Sequence, residues 1–291
     1  MNFSFRECHW WLDRDYDDCL HVIREGEIVK AVRIGGQTIL FRLWADDTHI
    51  LAEVLAGEPD AAAMDELAGY IRRWLDLDRD ISPFYALLKK DRKLAYLAEA
   101  FQGLRLVGIV DLFEALAWSI IGQQINLRFA YTLKRRLVER YGSRLEYEGT
   151  TYYLFPEPKD LLTAAEEELR GMQLSRSKAA YLTGLAQAFH QGVLSEEILL
   201  ALPDRESRLE ALTRLKGIGI WTANYTLMKS LRDPSGIPHG DTGLLTALAN
   251  HGIIKDRKEL LKIERFFSRY KGWESYTVIY LWRSLYDKRM E

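Results

Sequence analysis

Leu215 to Asn224 read LKGIGIWTAN, and Asp241 follows after the helix breakers Pro234, Gly236, Pro238 and Gly240. A turn of the form apolar-x-Gly-apolar-Gly joins two apolar-periodic segments tightly, because a glycine accepts a positive φ without a Cβ clash. The N–H groups at the start of the helix that follows have no intrahelical acceptor, so they can hold an anion such as a DNA phosphate. This is the pattern of a helix-hairpin-helix, although the same glycines also serve in compact turns that bind nothing. Asp241 precedes the apolar-periodic residues Leu244, Leu245 and Leu248. That is a preferred setting for a helix N-cap, and a helix N-terminus favours the ionised carboxylate. The six histidines show no metal-ligand spacing.

The elements that must position these residues fall into two stretches. From Cys19 to about Leu55 the runs CLHVIRE, EIVKAVRI, QTILFRLWA and HILAEVL are β-rich, and Gly26-Glu27, Gly35-Gly36 and Asp46-Asp47 separate them as turns would. They predict an antiparallel meander, with Trp10 and Trp11 on an earlier strand. Residues 60–75 carry helical spacing, with Met64, Leu67, Tyr70, Ile71 and Trp74 on the side that covers the sheet. Ser82-Pro83 marks a helix start, with Ser at the cap and Pro at the first helical position.

Beyond this point the pattern is helical. A tract over 111–141 breaks near Gly122 and ends at Gly142, with a small hairpin over 145–155 around Glu148-Gly149-Thr150. Helical periodicity then runs over 159–172, 176–191, 195–202, 206–215, 220–231, 241–250, 256–270 and 274–286. The expected architecture is an α+β domain over 1–105, an antiparallel sheet with a helix, followed by a mainly α-helical domain over 106–291 with the helix-hairpin-helix at about 206–231.

Composition narrows the partners. The chain has 291 residues, 48% of them hydrophobic, enough for two modest cores. Two cysteines, Cys8 and Cys19, are too few for a cysteine-held zinc or iron–sulfur cluster. No apolar run approaches the ~20 residues of a membrane span, so a soluble, cytoplasmic protein is expected, and it is read as a monomer. A net charge of −2 argues against indiscriminate nucleic-acid binding and leaves room for a local phosphate grip. Basic candidates are Arg128, Lys134, Arg135 and Arg136, then Arg176 and Lys178, then Arg214, Lys216 and Lys229, most of which, taken singly, read better as solvated helix faces.

LKGIGIWTANY with the downstream HGDTGL resembles the helix-hairpin-helix DNA glycosylases, and more narrowly the DNA-3-methyladenine glycosylase II family. LFEALAWSIIGQQINLRFAYTL at 112–133, GMQLSRSKAAYLTGLA at 171–186 and WESYTVIYLWRSLY at 273–286 support the likeness, as does the β-rich start. The resemblance implies a base-excision repair enzyme that flips an alkylated purine out of duplex DNA and hydrolyses its N-glycosidic bond. Asp241 would stabilise the oxocarbenium charge at C1′, and Trp221, Tyr225 and Trp282 would form the base pocket, whose electron-rich faces attract a cationic purine by ~0.5–2 kcal/mol per contact. Aromatics at helical spacing are more often plain core, which is the reading given to Trp118 and Tyr280.

The resemblance further implies that Lys216, Gly217, Gly219 and Ile220 meet the DNA backbone, with Gln123 and Gln124 at the position that fills the gap left by the flipped nucleotide. No required cofactor is expected. A structural Na or K ion would be held by backbone carbonyls of Thr213, Leu215 and Ile218. Trp221 stands where lyase-type relatives carry a lysine, which implies no strand cleavage. Lys216 and Lys229 are out of register as nucleophiles, and His239 is expected to take no part in catalysis. Two other readings stay open: a glycosylase for oxidised or mismatched bases, and a non-catalytic DNA-binding module, which would need neither Asp241 nor the aromatic set.

Overall fold

The structure is a computed structural model and describes residues 3–14, 16–46 and 49–287. The chain opens on helix α1 (Phe5–Leu12), whose N-cap Ser4 accepts a hydrogen bond from the Glu7 amide. Trp10 and Trp11 therefore lie on a helix and not on the expected strand. The Ser cap satisfies an orphan N–H, and the local period is helical, with Cys8 and Trp11 buried on one side.

Strands β1 (Val22–Arg24), β2 (Glu27–Ile34), β3 (Gln37–Ala45) and β4 (Ile50–Ala56) form the antiparallel meander, paired in chain order. Gly35 and Gly36, at φ +56° and +76°, make the β2–β3 turn, a conformation closed to most other residues. Of the Asp46-Asp47 separator, Asp47 lies outside the described residues. Helix α2 (Ala61–Leu75) starts at its N-cap Asp60 and lays Leu67, Ile71 and Trp74 over Ile28, Val32 and Phe41. Met64, expected on that face, is instead 45% exposed, because Ala63 takes the buried position beside it. The other sheet face packs Val29, Ala31 and Leu40 against Tyr152 and Leu154. The β-strand period of two thus buries both faces.

Helix α3 (Ser82–Lys90) begins one residue earlier than expected, with Ile81 at the cap position. After the short α4 (Leu97–Ala100) come α5 (Leu112–Gly122) and α6 (Leu127–Tyr141), capped by the side chains of Asp111 and Asn126. Gly142 does end α6, but at φ −76°. It is confined by space, since a Cβ there would lie 2.3 Å from the Leu154 carbonyl oxygen. That oxygen belongs to the hairpin β5 (Ser143–Tyr147) and β6 (Thr150–Leu154). The expected helix over 159–172 divides into a 3₁₀ turn, Pro158–Leu161, and α7 (Glu166–Gly171). Then follow α8 (Arg176–His190), α9 (Glu196–Ala201), α10 (Arg205–Thr213), α11 (Ile220–Lys229) and α12 (Thr242–Asn250). The segment 256–270 is helical only over α13 (Leu260–Phe267) and a closing 3₁₀ turn, before α14 (Glu274–Ser284).

Two large apolar cores result. One is built on α5, with α6, α8, α10 and α11 around it. The other joins the sheet, α2 and α3 to Leu244, Leu248, Phe266, Tyr276 and Leu281 of the last three helices. The end of the chain thus folds back onto its beginning. Among the described residues no helix is long and apolar enough to cross a membrane.

Candidate active site

Helices α10 and α11 and the six residues between them make the helix-hairpin-helix. The Ile218 amide donates to the Leu215 carbonyl at 3.0 Å, closing the turn. Gly217 sits at φ +90°, and a Cβ there would fall 2.3 Å from the Tyr181 ring, so glycine is required twice over. Gly219 is different from expectation. At φ −90° and ψ 177° it is extended backbone at the N-cap of α11, with open space where a Cβ would point. Lys216, Gly219 and Ile220 are exposed on this edge, and Ile220 presents 52% of its surface. The first amides of α11 emerge beside them without a side-chain cap.

A cleft of about 900 Å³ opens next to this edge. Asp241 stands on its wall as the N-cap of α12, where its Oδ1 accepts from the Leu244 amide at 2.7 Å and from Trp282 Nε1 at 2.9 Å. Among the described residues Oδ2 has no protein partner, which leaves it for a ligand. Gly243 allows this packing, because a Cβ there would come within 3.2 Å of Oδ1 and 3.4 Å of the Trp282 indole. The helix cap expected of Asp241 is present.

The aromatic set converges. Trp221 and Tyr225, one turn apart on α11, stack at 5.3 Å with their planes 14° apart, and Tyr225 meets Trp282 at 6.4 Å. All three line the cleft. Tyr280 is core, its hydroxyl donating to the Phe101 carbonyl at 3.0 Å. Trp118 is not core alone. Although only 7% exposed, it edges the cleft and donates from Nε1 to the Tyr225 hydroxyl at 3.2 Å.

Gln123 and Gln124 divide between two jobs. Gln123 Nε2 donates to the Gly217 carbonyl at 2.9 Å and to Thr222 Oγ1 at 3.2 Å, so it braces the hairpin. Gln124 is exposed at φ +58° in the α5–α6 turn, on the rim of the cleft. His239 does not line the cleft.

Several basic candidates are committed elsewhere. Lys134 is buried, with its Nζ 3.0 Å from Asp18 and 3.4 Å from Glu114. Burial alone would raise the Asp18 carboxyl, but the charge of Lys134, together with His21, the Leu20 amide and Lys30, outweighs it and holds the group well below the usual range. Lys178 donates to the Ile121 carbonyl, and Arg135, Arg136, Arg176 and Arg214 bond to acidic or amide side chains. Lys229 is the surprise. It is 5% exposed on the cleft wall, where it donates to the Val107 carbonyl and lies over the Trp11 ring. Desolvation, then the charge of Arg14, brings its amine down to about 7.

Sequence reasoning missed the contribution of the N-terminal segment. Trp11, Arg14 and Tyr16 line the cleft, with Trp11 6.5 Å from Trp282 and Tyr16 stacked on Tyr131 at 5.2 Å. No motif marks them, since a helix docked from the far end of the chain leaves no spacing signal.

A chain with this fold and cleft belongs to the HhH-GPD superfamily of base excision DNA repair proteins, which residues 117–272 match, while residues 2–111 match the AlkA N-terminal domain. More narrowly, it is 36% identical to a DNA-3-methyladenine glycosylase of Bacillus subtilis over 282 residues, 95% of this chain and 92% of that one. It superposes on a 3-methyladenine DNA-glycosylase from Archaeoglobus fulgidus with a TM-score of 0.83 and 25% identity, covering 99% and 96% of the two chains. An 8-oxoguanine glycosylase/lyase from Clostridium acetobutylicum in complex with double-stranded DNA shares the fold, with a TM-score of 0.75, 22% identity and coverage of 97% and 91%.

Proposed function

We propose that the protein is a monofunctional DNA glycosylase that everts an alkylated purine from duplex DNA and hydrolyses its N-glycosidic bond. The observation that carries this reading is the Asp241 carboxylate, fixed through one oxygen by Leu244 and Trp282 in an aromatic cleft beside the hairpin. As the glycosidic bond breaks, positive charge grows at C1′, and a preorganised carboxylate in a site of low dielectric stabilises it. The other oxygen, Oδ2, orients the attacking water. The stacked Trp221 and Tyr225, with Trp282, give a cationic base π faces that a normal base gains less from.

DNA is gripped along the hairpin by amides near Gly217, Gly219 and Ile220 and by Lys216, with Gln124 filling the gap in the duplex. Hard carbonyl oxygens suit an alkali ion, and those of Thr213, Leu215 and Ile218 would hold Na or K there, supplying positive charge to a phosphate; the Leu215 oxygen keeps a lone pair beyond its bond from Ile218. Among the described residues no cluster of His, Cys, Asp or Glu could hold a metal instead. The protein acts as a monomer.

Purified Asp241→Asn is expected to retain duplex binding and lose release of free bases from methylated DNA, read by chromatography. Near-normal release by the variant rejects the assignment. Binding without release by the wild type would instead favour the non-catalytic module. The lack of lyase chemistry follows from Trp221, an indole that forms no Schiff base, and from Lys229, whose amine is held by Val107. Borohydride should trap no covalent protein–DNA adduct; a trapped adduct lost in Lys229→Met would identify that amine as a nucleophile.

A further inference from the structure

Arg14 follows α1 and enters the cleft as a fixed, partly buried cation. Its Nε donates to the Trp11 carbonyl at 2.9 Å, and its guanidinium carbon lies 4.1 Å from the Trp11 ring centre and 5.9 Å from that of Tyr16. Among the described residues its two terminal nitrogens have no protein acceptor. Of the nearby carboxylates, Asp18 and Glu114 pair with Lys134, and Asp241 accepts from Trp282 and Leu244 through Oδ1 and keeps Oδ2 for the sugar in the reading above. Beside Arg14, Lys229 offers further N–H donors. Burying such a group without a partner is costly, so the arrangement is complementary to an acceptor that arrives with the ligand.

The depth of the site selects among acceptors. Arg14 lines the cleft with the half-buried Tyr131 and Tyr225 and the buried Lys229, whereas Lys216, Gly217 and Ile220 of the hairpin edge do not line it. A backbone phosphate belongs at that edge, whereas an everted base reaches the interior. A purine with a carbonyl at ring position 6 offers an acceptor to the guanidinium fork, and one with a 6-amino group opposes donor to donor. A cationic base also meets like charge here, which the carbonyl contact offsets and an amino group does not. We propose that Arg14 is a specificity-determining residue that donates to the position-6 carbonyl of the everted purine, so that 6-oxo lesions are favoured over 6-amino lesions. This rests on the glycosylase reading above and ranks substrates within it.

The test is a ratio. Release of 7-methylguanine and 3-methyladenine from one methylated duplex is followed under single-turnover conditions for the wild type, Arg14→Met and Arg14→Lys, with a deoxyinosine duplex as the neutral 6-oxo probe. Arg14→Met should lower the 6-oxo to 6-amino ratio about tenfold, and Arg14→Lys less, the scale of losing a charge-assisted hydrogen-bond pair. An unchanged ratio, including an equal fall for every base as a merely structural role would give, overturns the proposal. Ligand-observed NMR with free hypoxanthine and free adenine reads the same preference without catalysis. Tighter wild-type binding of hypoxanthine, lost in Arg14→Met, supports the role of Arg14 even if no base is released and the glycosylase reading fails. Equal binding of the two bases overturns it whatever the release assay gives.

Discussion

At the scale of single residues the site depends on one shared oxygen. Asp241 Oδ1 caps α12 and also takes the Trp282 indole N–H, so the carboxylate is oriented by its own helix and by a residue 41 positions later in the chain. The cap was legible from residue types, because aspartate before an apolar-periodic run is a standard helix start. The Trp282 contact was not, since nothing in a linear sequence brings α14 over α12. A hydrogen bond to a charged group is worth ~1.5–3 kcal/mol. Trp282→Phe, which keeps an aromatic wall and removes the donor, should therefore slow base release by roughly 10- to 100-fold while leaving duplex affinity near that of the wild type. Single-turnover release and fluorescence anisotropy on the same preparation measure the two quantities. A variant with unimpaired release would show that the indole N–H does not set the carboxylate.

At the scale of elements the hairpin shows why a pattern can be right and its stated reason partly wrong. Both glycines of LKGIGIW suggested positive φ, yet only Gly217 has it, and Gly219 is extended at the start of α11. Backbone reversal needs one left-handed residue here, while the second glycine keeps a helix N-terminus bare of side chain. Gly217→Ala combines a disfavoured φ with overlap of the Tyr181 ring and should cost about 2 kcal/mol or more in stability, read by urea unfolding. Its DNA affinity should fall further than its stability loss explains, and the salt dependence of binding should flatten as phosphate contacts are lost. Gly219→Ala meets no neighbouring atom within the protein. It should leave stability within about 0.5 kcal/mol and report on DNA contact alone.

At the scale of the whole molecule, the N-terminal segment is tied to the helical core through charge as well as apolar surface. Lys134 of α6 is buried between Asp18 and Glu114, and the chain around Asp18 carries Trp11, Arg14 and Tyr16 to the cleft. Asp18→Asn should destabilise the fold by about 2–3 kcal/mol at neutral pH, below the full cost of an orphaned buried charge because Glu114 remains. The folded Asp18 carboxyl titrates below its unfolded value of ~3.9. Its contribution is present above that pH and is lost as pH falls through the acid range, so the gap between wild type and variant should close below about pH 4. Equal stability of the two proteins at pH 7 would show that the ion pair does not hold the segment in place.

The sequence by itself determined what depends on neighbours along the chain: the meander, most helices, the hairpin, the Asp241 cap and the one-turn pairing of Trp221 with Tyr225. Each follows from a period of 2 or 3.6 residues, a turn residue or a cap, all of which act within a few positions. Tertiary structure alone decided that Trp11 and Arg14 share a wall with Trp282, that Lys229 is inside the cleft, and that Lys134 and Lys178 serve the core. Those outcomes depend on burial and on contacts between distant segments. Whether a lysine grips a phosphate or a buried carboxylate is set by which surface is removed from water when the last helices close over the first.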